Sequence, residues 1–350
     1  MRILIIGGTR FIGPHVVRHL VAAGHEVTLF HRGETKIDLA GINQFYGDRR
    51  ALSSFASEFK AVGPDVVLDM FPYTEEDARS LMRVFKGIAR RVVAISSADV
   101  YRAYGRLLRL ETGAPDPVPL NEDAPLRESR YPHRAQAKGV DDFAYNYEKI
   151  LVEQVVMSDP MNLPGTVLRL PAVYGPNDSQ HRLFGYLKRM DDLRPAILLE
   201  EAQSRWRWSR AFVENVADAI TLAVTDERAA GRIYNVGEPE AITESDWVHA
   251  IGHAAGWDGT IVFAHKDQLP AHLLAKVDYD HHLVIDTTRI RAELGYNERI
   301  SQQEALHETI DWERKHPPAE APPLQSEYAA EDEALAKLKL RDKGVDEEAV

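Results

Sequence analysis

The chain contains no cysteine, which removes disulfides, thiolate zinc sites, iron–sulfur clusters and cysteine nucleophiles from consideration. Long hydrophobic runs are also missing. No stretch approaches the roughly 18 uninterrupted apolar residues that span a bilayer, and the opening MRILIIGG turns to glycine too soon for a signal peptide. These absences lead to the expectation of a cytoplasmic protein with no membrane partner. Positive charge is in deficit: 42 Lys and Arg stand against 54 Asp and Glu, a formal charge of −12. Such a balance repels polyphosphate backbones and argues against nucleic acid as a partner. The histidines are not clustered, and His281-His282 reads as a lone structural or exposed pair, so no metal is expected. What is present is ample apolar material: 350 residues, 44% of them hydrophobic, enough for one large domain or two coupled ones.

The pattern along the chain alternates. Ile3–Ile6 is a continuous apolar run, suited to a parallel strand buried on both faces. A helical stretch follows from Gly13 to about Ala23, then a second strand at Glu26–Phe30. This is one β-α-β unit of about 30 residues. Asp65–Asp69, Arg91–Ile95 and Thr166–Leu170 read as further strands. Helices are expected near Leu52–Lys60, Glu75–Gly87, Asp141–Met157 and Ser301–His316. Arg102–His133, rich in Pro, Arg and Glu, reads as a long loop beside the active site. The expected fold class is α/β, a Rossmann-type doubly wound parallel sheet with a smaller α/β C-terminal substrate-binding lobe. Residues 1–170 would form the dinucleotide domain, to which the chain returns around 208–236; residues 171–316 would form most of the substrate lobe, and 317–350 a solvated charged tail, helical near Glu331–Lys343.

Three clusters carry chemistry. Gly7-Gly8-Thr9-Arg10-Phe11-Ile12-Gly13 lies between a buried strand and a helix, where free N–H groups can receive a pyrophosphate. The second strand ends in His31-Arg32-Gly33 with no carboxylate for a ribose 2′-hydroxyl. Arg32, with Arg10, could face a 2′-phosphate, so the cofactor is NAD or NADP with a lean to NADP. Ser96-Ser97-Ala98-Asp99-Val100-Tyr101 follows a buried strand, at the edge where open α/β sheets bind ligands. Tyr145 and Lys149 are four apart, which places them on one face of the expected helix, whereas Tyr147 has the wrong spacing.

Together these motifs resemble the extended short-chain dehydrogenase/reductase family, whose large branch is the NAD-dependent epimerases and dehydratases, over roughly residues 1–316. The glycine loop is similar to that family's TGGxGFIG, Tyr145 and Lys149 to its YxxxK, and Ser97 to its Ser/Thr before VY. Leu168–Pro176 is similar to LRxxNVYGP, Tyr234–Gly237 to YNVG, and Asp286–Tyr296 to its late D(T/S)…ELGY segment. The resemblance implies that Ser97, Tyr145 and Lys149 are catalytic. A lysine ammonium beside the phenol lowers its ordinary pKa of about 10 and makes Tyr145 a proton acceptor. It implies a cofactor site of Gly7, Thr9, Arg10, Phe11, Ile12, Gly13, His31, Arg32, Asp48, Arg49, Ser96, Tyr145, Lys149 and Pro171. Tyr73, Asp99, Ala172, Arg207 and Arg210 would meet the substrate, the arginines through phosphate.

Departures shape the functional expectation. Arg10 replaces the middle glycine, and the GGTRFIG form also resembles chloroplast stem-loop-binding proteins and their bacterial relatives. Phe71 adds bulk where the family has a small residue. Ala172 stands where many nucleotide-sugar epimerases place an asparagine, and Asp99 where dehydratases place a glutamate. The leading expectation is an NAD(P)-dependent epimerase of a sugar or nucleotide-sugar acting through a transient keto intermediate. The alternatives are a reductase, dehydrogenase or dehydratase of a sugar-like substrate, and a non-catalytic dinucleotide- or RNA-binding relative. A small-molecule, sugar-like partner is expected, and a homodimer through the helix that includes Tyr145–Met157.

Overall fold

The computed structural model of the chain describes residues 1–35, 40–319 and 324–347. The first half runs β1 (Arg2–Ile6), α1 (Ile12–Ala22), β2 (Glu26–His31), β3 (Ile42–Tyr46), α2 (Ala56–Val62), β4 (Val66–Asp69), α3 (Glu75–Phe85), β5 (Arg91–Ser97), α4 (Arg102–Leu107), α5 (Lys149–Val156) and β6 (Gly165–Leu170). The second half runs β7 (Ala172–Tyr174), α6 (Phe184–Asp191), β8 (Ala196–Glu200), α7 (Glu201–Arg205), β9 (Arg210–Phe212), α8 (Val213–Thr225), β10 (Ile233–Asn235), α9 (Glu244–Ala255), β11 (Thr260–Ala264), α10 (Thr288–Leu294), α11 (Gln302–Lys315) and α12 (Leu324–Glu347).

Seven strands form one parallel sheet in the order β10-β6-β5-β4-β1-β2-β3. The apolar run of β1 has a direct cause. Ile3 and Ile5 enter one core with Val16, Val17 and Leu20 of α1, while Leu4 and Ile6 enter the other with Phe59, Leu81 and Phe85. Successive side chains point to opposite faces, and both faces are covered. The chain lays down β1, β2 and β3 toward one edge, then crosses to β4 and proceeds through β5, β6 and β10 toward the other. The reversal between β1 and β4 is the crevice where a doubly wound sheet receives a ligand.

β3 was not anticipated, because Ile-Asn-Gln-Phe-Tyr is an edge strand that leaves Asn43 and Gln44 exposed. The stretch read as a loop from Arg102 to His133 begins instead with α4, whose Ala103 and Leu107 are buried. The outer lobe holds two small parallel pairs, β8 with β11 and β7 with β9. The tail expected to be solvated carries α12, which packs Ala334 and Leu335 against Ala196, Leu198, Ala264 and Leu269. Glu331 on that helix is 1% exposed, accepts from Arg189 and lies 3.0 Å from His272. Among the described residues, His272, Glu327 and Glu331 are the group whose ligand atoms converge within 4.8 Å, and the Arg189 guanidinium already bonds both carboxylates. No helix among the described residues is long and apolar enough to cross a membrane.

Candidate active site

The glycine turn builds the crevice floor. Gly7 has φ +88°, and a Cβ there would lie 2.0 Å from the Phe71 ring. A Cβ on Gly13 would meet the Gly8 backbone at 2.4 Å, so the turn closes only on glycine. α1 begins without a side-chain cap and without an acid in its first turn. No side chain competes for the helix start, although the Gly13 N–H already donates to the Arg10 carbonyl at 3.0 Å and Pro14 carries no N–H. The positive end of the helix behind a glycine turn fits a dinucleotide pyrophosphate. Thr9, Arg10, Phe11 and Ile12 lie on this turn, and the Arg10 guanidinium reaches Thr35 Oγ1 at 3.1 Å.

Around the turn several expected contacts are already engaged. His31 at the end of β2 is buried and meets Gln44 at 3.0 Å. Arg32 is exposed and pairs with Glu34 at 2.8 Å. Asp48 caps the helical turn after it, accepts from the Arg50 N–H at 2.9 Å and is held below the usual carboxylate range by the Arg50 guanidinium. Arg49, expected to face cofactor, is turned inward. It forks onto Asp69 with two bonds of 2.8 Å, reaches Asp77 at 3.1 Å and donates to the Phe71 carbonyl at 3.0 Å. A buried fork of this kind clamps β4 to the turn that precedes α2. Phe71 is thus held between Gly7 and Arg49, whose Cζ stands 5.2 Å from the ring centroid.

The C-terminal edge of β5 carries Ser96 and Ser97. Ser96, another expected cofactor contact, points into the protein and donates to Glu153 Oε1 at 2.5 Å. That carboxylate bonds Arg169 at 2.7 Å, and Arg169 donates to the Tyr101 hydroxyl at 3.0 Å and the Glu122 carbonyl at 2.8 Å. Tyr101 donates in turn to Asn235 Oδ1 at 2.7 Å. The network ties β5, α5, β6 and β10 together beneath Ser97, so the LR and YN motif residues serve as a scaffold here.

Ser97 is half-buried; its Oγ accepts from the Asp99 N–H at 3.2 Å. Asp99 is buried, and its Oδ2 accepts from the Tyr147 hydroxyl at 2.6 Å. Arg127 and His133 each stand 3.9 Å from this carboxylate. Burial pushes Asp99 upward, but the hydrogen bonds and charges of His133, Arg127 and Tyr147 outweigh it and the carboxyl is held below its usual range. Its Oδ1 is buried with no hydrogen-bond partner. Tyr147 is pushed well above 10 by burial and then by the adjacent Asp99 charge, so its hydroxyl holds its proton.

The structure corrects the placement of Tyr145. The helix expected from Asp141 begins only at Lys149, with Glu148 as its cap. Glu148 is fully buried, pairs with Arg127 at 3.2 Å and accepts the Tyr131 and Ile150 N–H groups. This buried carboxylate fixes an extended approach, so Tyr145 lies outside the helix. The Tyr145 ring faces Arg134, whose Cζ stands 4.7 Å from its centroid, and its carbonyl accepts from Arg134 Nε at 2.8 Å. Spacing rules for one helix face do not apply to Tyr147, and it is this ring that enters the site. Lys149 Nζ donates to the Pro72 and Ile95 carbonyls at 2.8 and 2.9 Å and stands over the Tyr73 and Tyr147 rings at 5.1 and 5.8 Å. Burial lowers its ammonium from 10.5 to about 8.

Pro171 leaves β6 beside Ser97, whose register partner is Leu170, and leads into Ala172. Ala172 opens a cavity of about 110 Å³ shared with Arg210. Arg207 is exposed and donates to the Ala241 carbonyl at 2.8 Å, and it does not line that cavity. Sequence reasoning passed over Tyr147, His133 and Glu244. The first was set aside by a helical spacing the chain does not adopt, the second lay in the presumed loop, and the third stood in a sequence region with no motif.

Comparison with known proteins gives the relationship. The model of the NAD dependent epimerase/dehydratase family matches residues 3–237. The chain is 27% identical over 271 residues to chloroplast stem-loop binding protein of 41 kDa b of Arabidopsis thaliana, covering 73% of this chain and 64% of that protein's length. It is 23% identical to UDP-N-acetyl-alpha-D-glucosaminuronate decarboxylase of Bacillus cytotoxicus, covering 90% and 98%. Among solved structures, the UDP-glucose 4-epimerase of Thermotoga maritima with UDP-glucose superposes with a TM-score of 0.65 at 18% identity, covering 90% and 99%. At that identity the likeness concerns the fold. With the family pattern running over well more than half of its residues, the chain is an enzyme of the NAD dependent epimerase/dehydratase family.

Proposed function

We infer that the protein interconverts a secondary alcohol and a ketone on a sugar-like substrate, with epimerisation as the leading outcome and net reduction or dehydration as the alternatives. The observation that carries this reading is the buried Tyr147–Asp99 hydrogen bond of 2.6 Å beside Ser97 and Lys149. The bound dinucleotide would supply hydride storage, held at its pyrophosphate by the Gly7–Gly13 turn. Tyr147 takes the role that spacing assigned to Tyr145. Its Oη receives the substrate hydroxyl proton while its own proton moves to Asp99 Oδ2 for the lifetime of the ketone only, because a carboxyl held below its usual range gives the proton back; in the reverse direction both protons return. Ser97 Oγ orients the same substrate oxygen. Lys149 places a positive charge below the ring, and the unpartnered Asp99 Oδ1 offers an acceptor to a second substrate hydroxyl.

For the cofactor, we retain the lean to NADP. The exposed Arg32–Glu34 pair is worth less than about 1 kcal/mol, so Arg32 is free to turn to a 2′-phosphate. An RNA-binding reading is suggested by the name of the Arabidopsis relative, and the net charge of −12 opposes it.

The test is a screen of saccharide alcohols and ketones with purified enzyme and dinucleotide, read at 340 nm for net reduction or oxidation and by NMR of the product for inversion at a carbinol carbon. The hydrogen on that carbon should be retained in deuterated water, because it returns from the dinucleotide. Tyr147→Phe should lower turnover by about 10²–10⁴-fold, and Tyr145→Phe should stay near wild type. The opposite ranking would refute the assignment.

A further inference from the structure

The cavity beyond Ala172 is built differently from a phosphate site. Its walls are aromatic: Tyr174, Tyr186, Trp208 and Trp247. Its cations are spoken for. Arg210 is buried, stands 4.5 Å from the Trp247 ring centroid and is ion-paired with Glu244. Arg182 pairs with Asp178 at 2.7 Å. Glu244 is itself buried and accepts from the Tyr186 hydroxyl at 2.7 Å, and Tyr174 donates to Glu238 at 2.8 Å. Each lining arginine is matched by a carboxylate, so no free positive charge faces the cavity. A diphosphate placed here would meet the buried Glu244, where like charges are poorly screened and repel strongly. An uncharged sugar ring meets complementary chemistry: flat aromatic faces for its C–H face, and the planar Arg210–Glu244 pair as in-plane donor and acceptor for its hydroxyls.

We propose that this cavity holds an uncharged saccharide ring, free or as a glycoside, and that Glu244 excludes nucleoside diphosphates by neutralising Arg210. This rests on the sugar-redox reading above and names its substrate class. The cavity lies on the same sheet edge as Ser97, because Leu170, the register partner of Ser97, is two residues before Ala172. A ring seated here can therefore present a hydroxyl toward Ser97 and Tyr147.

The experiment uses full-length enzyme saturated with dinucleotide, so that added nucleotides cannot enter the cofactor crevice. Tryptophan fluorescence and calorimetry follow titration with UDP, dTDP, and the methyl glycosides of glucose, galactose, mannose and N-acetylglucosamine. Wild type should bind at least one glycoside saturably and show no saturation by UDP or dTDP below about 1 mM, a bound of roughly −4 kcal/mol. Glu244→Gln should gain at least tenfold in UDP affinity, and Trp247→Phe, a milder change, should weaken the glycoside while leaving dinucleotide retention intact. Micromolar UDP or dTDP binding by wild type, no gain in Glu244→Gln, or no binding by any glycoside overturns the proposal. Binding is read without turnover. Loss of hydride transfer with intact glycoside binding therefore sinks only the Tyr147 mechanism, and UDP binding with intact turnover sinks only this one.

Discussion

Lys149 gives a prediction in which stability and activity move in opposite directions. Its ammonium is lowered by burial from 10.5 to about 8. In the unfolded chain the amine returns to about 10.4. Between about pH 8 and 10.5 the unfolded chain binds more protons than the folded one, so stability rises with pH through that window, and below it the folded state bears the whole penalty. At about 1.4 kcal/mol per unit the penalty near neutrality is on the order of 3 kcal/mol, and most of it is relieved between pH 7 and pH 10. The perturbation is Lys149→Met, which fills the same space without a charge. Urea unfolding of both proteins, stripped of dinucleotide, is compared across that range, because the difference between them cancels every titration they share. Wild type should gain roughly 2–3 kcal/mol on the variant from pH 7 to pH 10. The two carbonyls left without a donor in Lys149→Met add a constant that does not depend on pH. Turnover of wild type should meanwhile fall above about pH 8, as the charge below the Tyr147 ring is lost. A difference in stability that stays flat with pH would show that Lys149 is not desolvated as its two carbonyl contacts imply.

Other outcomes follow from single contacts. Gly13→Ala drives a methyl into the Gly8 backbone; it should cost about 1–3 kcal/mol in urea unfolding and weaken dinucleotide binding at least tenfold in a fluorescence titration. Glu153→Ala strands the buried Arg169, a loss of about 3–5 kcal/mol measurable by the same unfolding assay. Arg32→Ala should weaken NADP far more than NAD, and equal affinities in the variant and wild type would remove the 2′-phosphate reading. Glu331→Ala should loosen α12 and speed trypsin cleavage at Lys337 by about tenfold or more, equivalent to about 1.4 kcal/mol of local opening.

What could be read in the sequence was what local geometry decides. The glycine turn was legible because only glycine tolerates the positive φ of position 7 and the close approach at position 13. β1, β4, β5 and β6 were legible because a strand buried on both faces reads as a nearly continuous apolar run, broken here only where a buried polar side chain such as Asp69, Ser96 or Arg169 has a partner. What stayed hidden was decided by distant partners. The start of α5 depends on a carboxylate at 148 meeting an arginine 21 residues earlier. The fate of Arg210 depends on Glu244, 34 residues later, which turns an expected phosphate ligand into half of an internal pair. Arg49 and Ser96 sat in the right motifs, yet Asp69 and Glu153 draw them inward. β3 lacked the apolar signature because it lies at the sheet edge, with no strand beyond it among the described residues.

The sheet edge at β10 bears on how such a protein can be cut and joined. Residues 233–235 return from the outer lobe to pair with β6, and Asn235 there donates to the Leu120 and Asp286 carbonyls, while α8 rests beside α1 with Glu214 2.7 Å from His15. The two lobes are therefore interwoven rather than strung in series. Swapping specificity between homologues by exchanging a C-terminal cassette would tear out a strand of the recipient's own scaffold. Grafts confined to the loops between β7 and β9 would leave that weave whole.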